Sequence, residues 1–288
     1  MIVYLDGEYL PRAEARVSVE DRGFLFGDGV YEVIRACDGG FFTAREHLDR
    51  LQEGMRGLEI EAGDAASPDT LLEVAESLLE RNDRTEGNAT VYVQVTRGAA
   101  TRTHCYPPGG CRPTVYLSTA RFAHPPGLHK KGAGVITLPD LRWARCNLKT
   151  VNLLPNVIAK QRAVEANATE AILVRDGVVT EGASTNVFAV VDGELRTYPA
   201  CHYILDGITR RVVLEMAREM GIPARETPIR VEDLPRVDEV FLTGTTTDVM
   251  PVVRIDERPV ADGKPGEITR RLQAGLNERI SAAGGVRA

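Results

Sequence analysis

Apolar and polar positions alternate over Thr90–Thr96, which predicts a strand with one buried face, and Val30–Cys37 and Thr114–Ser118 read as further strands. Residues 2–10 read as a hairpin about Asp6-Gly7, a favoured two-residue turn. A short strand at Phe41-Phe42 follows Asp38-Gly39-Gly40. Thr43 to Glu46 has the form of a capping box, and Leu48, Leu51, Met55 and Leu58 then recur on one helical face. A second helix is expected from Ser67-Pro68, burying Leu71, Ala75 and Leu78. Residues 97–113 form a Gly/Pro-rich loop.

The second half repeats the mixture. A strand is expected near 134–138, a helix over 155–168 and a strand over 170–175. Asp176-Gly177 and Asp192-Gly193 mark turns within a run of strands reaching 199. A helix over 208–220 stops at Gly221, a strand lies at 239–243, further strands reach about 260, and a last helix covers 267–282. The fold class is therefore mixed α/β. Residues 1–119 are expected to form one domain, 120–133 a linker and 134–288 a second domain. Neither a G-x-G-x-x-G turn after a strand nor a G-x-x-x-x-G-K-[ST] loop occurs, so neither a dinucleotide fold nor a P-loop fold is indicated.

Charge narrows the function. The net charge of −6 is interspersed, and the longest basic run is Lys130-Lys131, which argues against a nucleic-acid or membrane surface. No apolar run approaches the roughly 20 residues of a membrane span, and Asp6 interrupts the N-terminal stretch where a signal peptide is apolar. The five cysteines are widely spaced without a C-x-x-C pair, so free thiols and a cytoplasmic location are expected. The five histidines lack metal-ligand spacing, and no metal site is expected. Only five lysines stand against thirty arginines, so a lysine in apolar surroundings points to a need for an amine there, or is left by drift.

Lys149 is such a lysine, flanked by Leu148, Val151, Leu153 and Leu154. Apolar surroundings favour a neutral amine, which can condense with an aldehyde and later act as a base. An exposed loop lysine is the equal alternative. Glu181, in Val179-Thr180-Glu181-Gly182-Ala183-Ser184-Thr185-Asn186, can pair with a protonated ring nitrogen, or can simply end a strand. Gly207-Ile208-Thr209-Arg210 opens a helix, and Thr243-Gly244-Thr245-Thr246-Thr247 follows a strand. Together they offer N–H groups and hydroxyls for a phosphate, with Arg50 a third element unless it pairs on the surface with Asp49 or Glu53. Arg102 and His104 can converge on a carboxylate or stay solvated in their loop, and Tyr31 points the same way or packs.

In order, these segments resemble the aminotransferase group that contains the branched-chain and D-amino acid enzymes, the class IV pyridoxal phosphate-dependent aminotransferases. The resemblance runs from about residue 2 to residue 280. It rests on Glu20-Asp21-Arg22-Gly23, Phe26 to Glu32, Glu46 to Leu51, Lys149 with Asn152-Leu153-Leu154, Glu181 to Phe188, and Gly207 to Arg210. It implies a fold-type IV enzyme with a small N-terminal α/β domain and a larger C-terminal domain of mixed sheet or barrel form, assembled as a homodimer. It also implies pyridoxal 5'-phosphate as cofactor. Lys149 would be the Schiff-base lysine and proton shuttle, and Glu181 the partner of the pyridine nitrogen. Arg50, Ile208 (through its backbone), Thr209 and Thr245 would hold the phosphate. Within the group the similarity is to the D-amino acid enzymes, whose carboxylate trap of tyrosine, arginine and histidine is matched by Tyr31, Arg102 and His104. The implied substrates are D-alanine, D-glutamate or D-aspartate with 2-oxoglutarate or pyruvate. Ala183 and Pro155 depart from the group's usual pattern, Pro155 where it bears on the helix after Lys149. The alternatives are an L-branched-chain aminotransferase, a pyridoxal phosphate lyase of the aminodeoxychorismate lyase type, and a non-catalytic binding protein on the same scaffold.

Overall fold

A computed structural model describes residues 1–125 and 127–284. The chain divides into two compact units. The first comprises Met1–Ala123, Leu148–Asn152 and the described residues from Ile280, and the second comprises His124–Asn147 and Leu153–Arg279.

The first unit is a six-stranded antiparallel sheet with helices on one face. Its elements are β1 (Ile2–Leu5), β2 (Glu8–Pro11), α1 (Arg22–Phe26), β3 (Gly29–Cys37), β4 (Gly40–Phe42), α2 (Ala44–Gly57), α3 (Pro68–Arg81), β5 (Asn88–Thr96) and β6 (Thr114–Arg121). The strand order is β2-β1-β6-β5-β3-β4. Val30, Ile34 and Ala36 of β3 and Val91, Val93 and Val95 of β5 turn one face inward. Leu48, Leu51 and Met55 of α2 and Leu71, Ala75, Leu78 and Leu79 of α3 cover that face. Period-two alternation in β3 places Glu32 on the same inward face as Val30 and Ile34.

The local signals explain most boundaries. Asp6-Gly7 turns β1 into β2 with both residues at positive φ, as a type I′ turn requires. Ser67 caps α3 by accepting from the Thr70 N–H at 3.2 Å, with Pro68 in the first turn. The capping box expected at Thr43 is not formed. Thr43 takes a left-handed conformation (φ 54°), and its hydroxyl donates to the Phe42 carbonyl instead. The short α1, which no periodicity announced, is fixed by the Asp21 carboxylate accepting from the Gly23 N–H at 2.8 Å and by Gly27 at φ 70°.

The second unit is built on a ten-stranded mixed sheet. Its elements are α4 (Leu128–Lys131), β7 (Ala133–Pro139), α5 (Leu154–Glu165), β8 (Glu170–Arg175), β9 (Val178–Gly182), β10 (Asn186–Val191), β11 (Glu194–Thr197), α6 (Ile208–Glu219), β12 (Ala224–Arg225), β13 (Ile229–Arg230), β14 (Glu239–Gly244), β15 (Asp248–Ile255), β16 (Arg258–Pro259) and α7 (Glu267–Ala283). The order is β12-β11-β10-β14-β15-β7-β8-β9-β13, with β16 on β15. β7 pairs parallel to both β8 and β15, and the rest of the central path is antiparallel. Asp-Gly turns join β8 to β9 and β10 to β11, as the sequence indicates.

The stretch 120–133, read from sequence as a linker, is more structured than that. β6 continues through Arg121, residues 128–131 form α4, and β7 begins at Ala133. Its prolines and glycines dominated the sequence pattern and hid a four-residue helix. The Lys149 segment, expected within the C-terminal domain, is counted with the first unit. Pro155 sits in the first turn of α5, where its missing N–H has no intrahelical partner to lose.

Candidate active site

In the first unit, Leu148–Asn152 is laid against the start of β3. The Tyr31 N–H donates to the Lys149 carbonyl at 3.0 Å, and the Val151 N–H donates to the Gly29 carbonyl at 3.0 Å. Glycines seat the flanks. A Cβ on Gly57 would stand 2.5 Å from a Leu148 methyl, and one on Gly27 would stand 3.4 Å from the Asn152 Cα. Lys149 is half-buried, and its Nζ lies 4.3 Å from the centre of the Tyr31 ring, a cation–π arrangement. Tyr31 in turn stacks on Tyr92 at 5.7 Å. Burial, with Tyr31 and Tyr116 nearby, pushes the Tyr92 phenol up to about 12. Lys149 and Tyr31 are therefore brought together.

Behind them lies a charged cluster inside the core. Glu32 accepts from Arg50 Nε at 2.7 Å and Nη2 at 3.0 Å, and its Oε2 lies 2.8 Å from His47 Nδ1. Burial opposes the carboxylate charge, but the Arg50 guanidinium and the His47 hydrogen bond outweigh it and hold Glu32 at about 2. Burial lowers His47, only partly offset by Glu32, and the charges of Arg50 and Lys149 lower it further. Arg50 is thus not the surface partner of Asp49 or Glu53. It is a buried, bidentately oriented guanidinium.

Arg102 and His104 are exposed and gather on Phe26. The Arg102 guanidinium lies 5.2 Å and the His104 ring 5.7 Å from the Phe26 ring centre. Their loop is pinned between them, because Arg22 donates to the Thr103 carbonyl at 2.8 Å while its Nε is paired with Asp28 at 2.8 Å. Arg97 also pairs with Asp28 and lies over the Tyr106 ring at 3.7 Å.

In the second unit, Glu181 is the buried penultimate residue of β9. Its carboxylate accepts from Arg142, from Asn186 Nδ2 at 2.9 Å and from the Leu205 N–H at 3.1 Å. Burial raises its carboxyl to about 7, although Arg142 and the Leu205 N–H pull the other way. Arg142 is itself clamped by Asp140 at 2.8 Å. Burial opposes the Asp140 charge, but the Arg142 hydrogen bond prevails and holds that carboxyl down to about 2.

Asn186 ties Glu181 to both proposed phosphate elements. Its Nδ2 also donates to the Leu205 carbonyl at 2.8 Å, three residues before Ile208 opens α6. Its Cα pairs with Thr243, two residues before Thr245. No side chain caps α6, whose first turn holds Ile208 and Thr209, and a Cβ on Gly207 would fall 2.1 Å from Asn186 Oδ1. An uncapped helix start presents N–H groups suited to an anion.

The Amino-transferase class IV family matches residues 29–255. Two relatives, each called D-alanine aminotransferase, are 42% identical to this chain. That of Staphylococcus haemolyticus aligns over 97% of this chain and 98% of its own, and that of Bacillus licheniformis over 97% of each. The chain belongs to the class IV aminotransferases. Among solved structures, a T.th. branched-chain amino acid aminotransferase complexed with N-(5'-phosphopyridoxyl)-L-glutamate is 28% identical. It superposes with a TM-score of 0.87 over 98% of this chain and 94% of its own. The same enzyme with pyridoxamine 5'-phosphate gives 0.88. The fold is accordingly that of a fold-type IV aminotransferase, as the sequence implied.

The cofactor of this class IV aminotransferase is pyridoxal 5'-phosphate. Its residues fit that group: an amine at Lys149, a buried carboxylate at Glu181 and an uncapped helix start at Ile208-Thr209. Sequence reading gave no role to Arg142, Asn186, Arg22 or Glu32. Arg22, Glu32 and Asn186 stood inside the segments that carry the resemblance, whereas Arg142 carried no local signal beyond Asp140 two residues before it.

Proposed function

We propose that this aminotransferase moves an amino group between a D-amino acid of the alanine or glutamate type and a 2-oxo acid such as 2-oxoglutarate or pyruvate. The observation that carries this reading is the 42% identity, over nearly the whole of both chains, to enzymes named for D-alanine. The match of Tyr31, Arg102 and His104 to a carboxylate trap supports it.

When bound, pyridoxal 5'-phosphate supplies the aldehyde that takes the amino group and the ring that accepts electrons released at the substrate Cα. Lys149 provides the amine that binds the aldehyde and carries the proton to and from Cα. The cation–π contact with Tyr31 keeps the Lys149 side chain on that face of β3. Glu181 would hold a proton on the pyridine nitrogen, and the hydrogen bonds from Arg142 and Asn186 keep its carboxyl group turned. Arg50, the Ile208 backbone, Thr209 and Thr245 hold the phosphate, with Glu32 fixing the Arg50 fork. Tyr31, Arg102 and His104 take the substrate carboxylate, and the side from which they do so sets which enantiomer presents its Cα–H to Lys149.

We assign a homodimer. α5 exposes Leu154, Val157, Ile158 and Val164, an apolar stripe of the kind that a partner covers. A cytoplasmic location fits the five free cysteines. Among the described residues no helix is long and apolar enough to cross a membrane.

The second reading, an L-branched-chain aminotransferase, is favoured by the solved structures of that name, at lower identity. Coupled assays of pyruvate release from D- and L-alanine with 2-oxoglutarate, and of glutamate release from L-leucine, separate the two. Turnover with D-alanine at least about tenfold above that with L-leucine is expected, the scale of about 1.4 kcal/mol in differential transition-state binding. Preference for L-leucine would overturn the assignment.

A further inference from the structure

The fold brings together three side chains that the proposed reaction does not use. His124 precedes α4, His129 lies within it, and Asp248 begins β15, more than a hundred residues on. One ligand atom from each lies within 4.8 Å of the other two. His124 Nε2 stands 2.8 Å from Asp248 Oδ2, and the two imidazole rings meet edge to face at 3.9 Å between centres. His124 and His129 are part-buried, whereas the Asp248 carboxylate is 6% exposed. The histidine spacing in sequence gave no reason to expect a metal ligand set. The spacing in the fold does.

The cluster is built on fixed backbone. His129 Nε2 lies 2.9 Å from the Thr247 carbonyl. A neutral imidazole donating there carries its lone pair on Nδ1, the arrangement by which a backbone carbonyl orients a metal-binding histidine. The His129 carbonyl accepts from Arg270 at 2.8 Å, and Gln273 donates to the Val249 carbonyl at 2.9 Å, so α7 holds both the helix and the strand. Asp248 adopts φ 54°, which turns its carboxylate at the end of the Gly244–Asp248 turn.

We propose that His124, His129 and Asp248 bind a first-row divalent transition ion, Zn2+ in particular. Two imidazoles and one carboxylate suit such an ion and are a poor set for Mg2+ or Ca2+, which take oxygen ligands. Zinc ligand atoms at about 2.0–2.1 Å from the ion stand about 3.3 Å apart in tetrahedral geometry. His124 Nε2 and Asp248 Oδ2 stand 2.8 Å apart and the remaining separations are within 4.8 Å, so the three side chains are close enough to share one ion. The ion would clamp the α4 segment to the Gly244–Asp248 turn. The site needs neither Lys149 nor Glu181, so its test is independent of the amino-transfer reading.

The test is titration of ZnCl2 into chelator-treated, cofactor-loaded protein by calorimetry. It is paired with zinc X-ray absorption on the loaded sample and thermal melting with and without the ion. One saturable site per chain is expected, with a raised Tm. A first shell of nitrogen and oxygen alone at about 2.0–2.1 Å is expected as well. His129→Ala and Asp248→Asn should each weaken binding by at least about tenfold. Asn tolerates the left-handed backbone at position 248, so that variant removes charge without refolding the turn. Absence of saturable binding would overturn the proposal. So would a sulfur shell near about 2.3 Å, which places the ion on cysteines, or unchanged binding in a His124→Ala/His129→Ala double variant. The absorption result on the unsubstituted protein decides the matter even where a variant fails to fold.

Discussion

Lys149 and Tyr31 are joined twice. The Tyr31 amide donates to the Lys149 carbonyl at 3.0 Å, and the Lys149 Nζ lies 4.3 Å from the centre of the Tyr31 ring. The backbone bond fixes where the lysine leaves the chain, and the ring fixes where its amine points. The two residues nevertheless do different work. Lys149→Ala should lower turnover at least about 10³-fold, the scale of losing a positioned acid–base group. Tyr31→Phe keeps the ring and loses only the hydroxyl. It should leave cofactor attachment intact and raise KM for the amino acid more than it lowers kcat. Steady-state kinetics on the two variants check this. Equal losses in both would contradict the division of roles.

Glu32 is the anion that Arg50 and His47 are built around. Glu32→Ala takes away the carboxylate that compensates a buried guanidinium, which should destabilise the protein by about 3–5 kcal/mol and lower Tm by about 10 °C. Because the folded carboxyl is held at about 2, its contribution is complete above about pH 4.5 and is lost as pH falls towards 2. Acid denaturation profiles should therefore converge for Glu32→Ala and the unsubstituted protein near pH 2, and separate above pH 4.5. Cofactor affinity should fall in the same variant, since Arg50 loses its orientation.

Glu181 shows the opposite sign. Its folded carboxyl is raised from 4.5 to about 7, so the cofactor-free fold holds that proton more tightly than the unfolded chain. The resulting stabilisation is full below about pH 4.5 and disappears as pH rises through 7. In cofactor-free protein, the stability difference from Glu181→Gln should change by on the order of 3 kcal/mol across that window. Denaturant midpoints measured at the two ends of the window check it. A protonated pyridine nitrogen beside Glu181 removes the penalty, so the loaded enzyme should lack the slope.

Legibility in the sequence followed the range of the interactions. Hairpins at Asp6-Gly7, Asp176-Gly177 and Asp192-Gly193 were readable because two adjacent residues set the turn. Lys149, Glu181 and the start of α6 were singled out as candidates because each sits in a short, distinctive run. The partners that orient them were not. Arg142 reaches Glu181 from 39 positions away, and in the Arg102–His104 loop Arg22 likewise reaches Thr103 from 81. Thr43 had the residues of a capping box but not the backbone, because the turn after β4 forces positive φ there. Glu32 stood in the Phe26–Glu32 segment without a role of its own, and its buried partners Arg50 and His47 come from α2.

Gly98 controls the Arg102–His104 loop. It has φ 98°, and a Cβ there would stand 1.9 Å from the Arg112 carbonyl oxygen. Gly98→Ala must therefore move the backbone, not a flexible side-chain end. It should raise KM for the amino acid at least about tenfold, as a misplaced binding group does, while the protein still takes up cofactor. Arg102→Ala should reproduce the kinetic effect without the change in loop proteolysis expected of Gly98→Ala. Unchanged kinetics in Arg102→Ala would contradict the carboxylate role.

The stripe on α5 gives the homodimer its test. Ile158→Glu places a charge among Leu154, Val157 and Val164, and sedimentation should then report a single chain of about half the mass of the unsubstituted protein. Unsubstituted protein that sediments at 31.5 kDa would contradict the dimer.

That Lys149 carries the cofactor is tested most directly by borohydride reduction of the loaded enzyme, followed by peptide mass mapping, with no substitution needed. Five lysines make the map unambiguous: Lys130, Lys131, Lys149, Lys160 and Lys264. One phosphopyridoxyl group per chain is expected, on the peptide containing Lys149. The same group on Lys160 or any other lysine, or no fixed cofactor at all, would contradict that assignment.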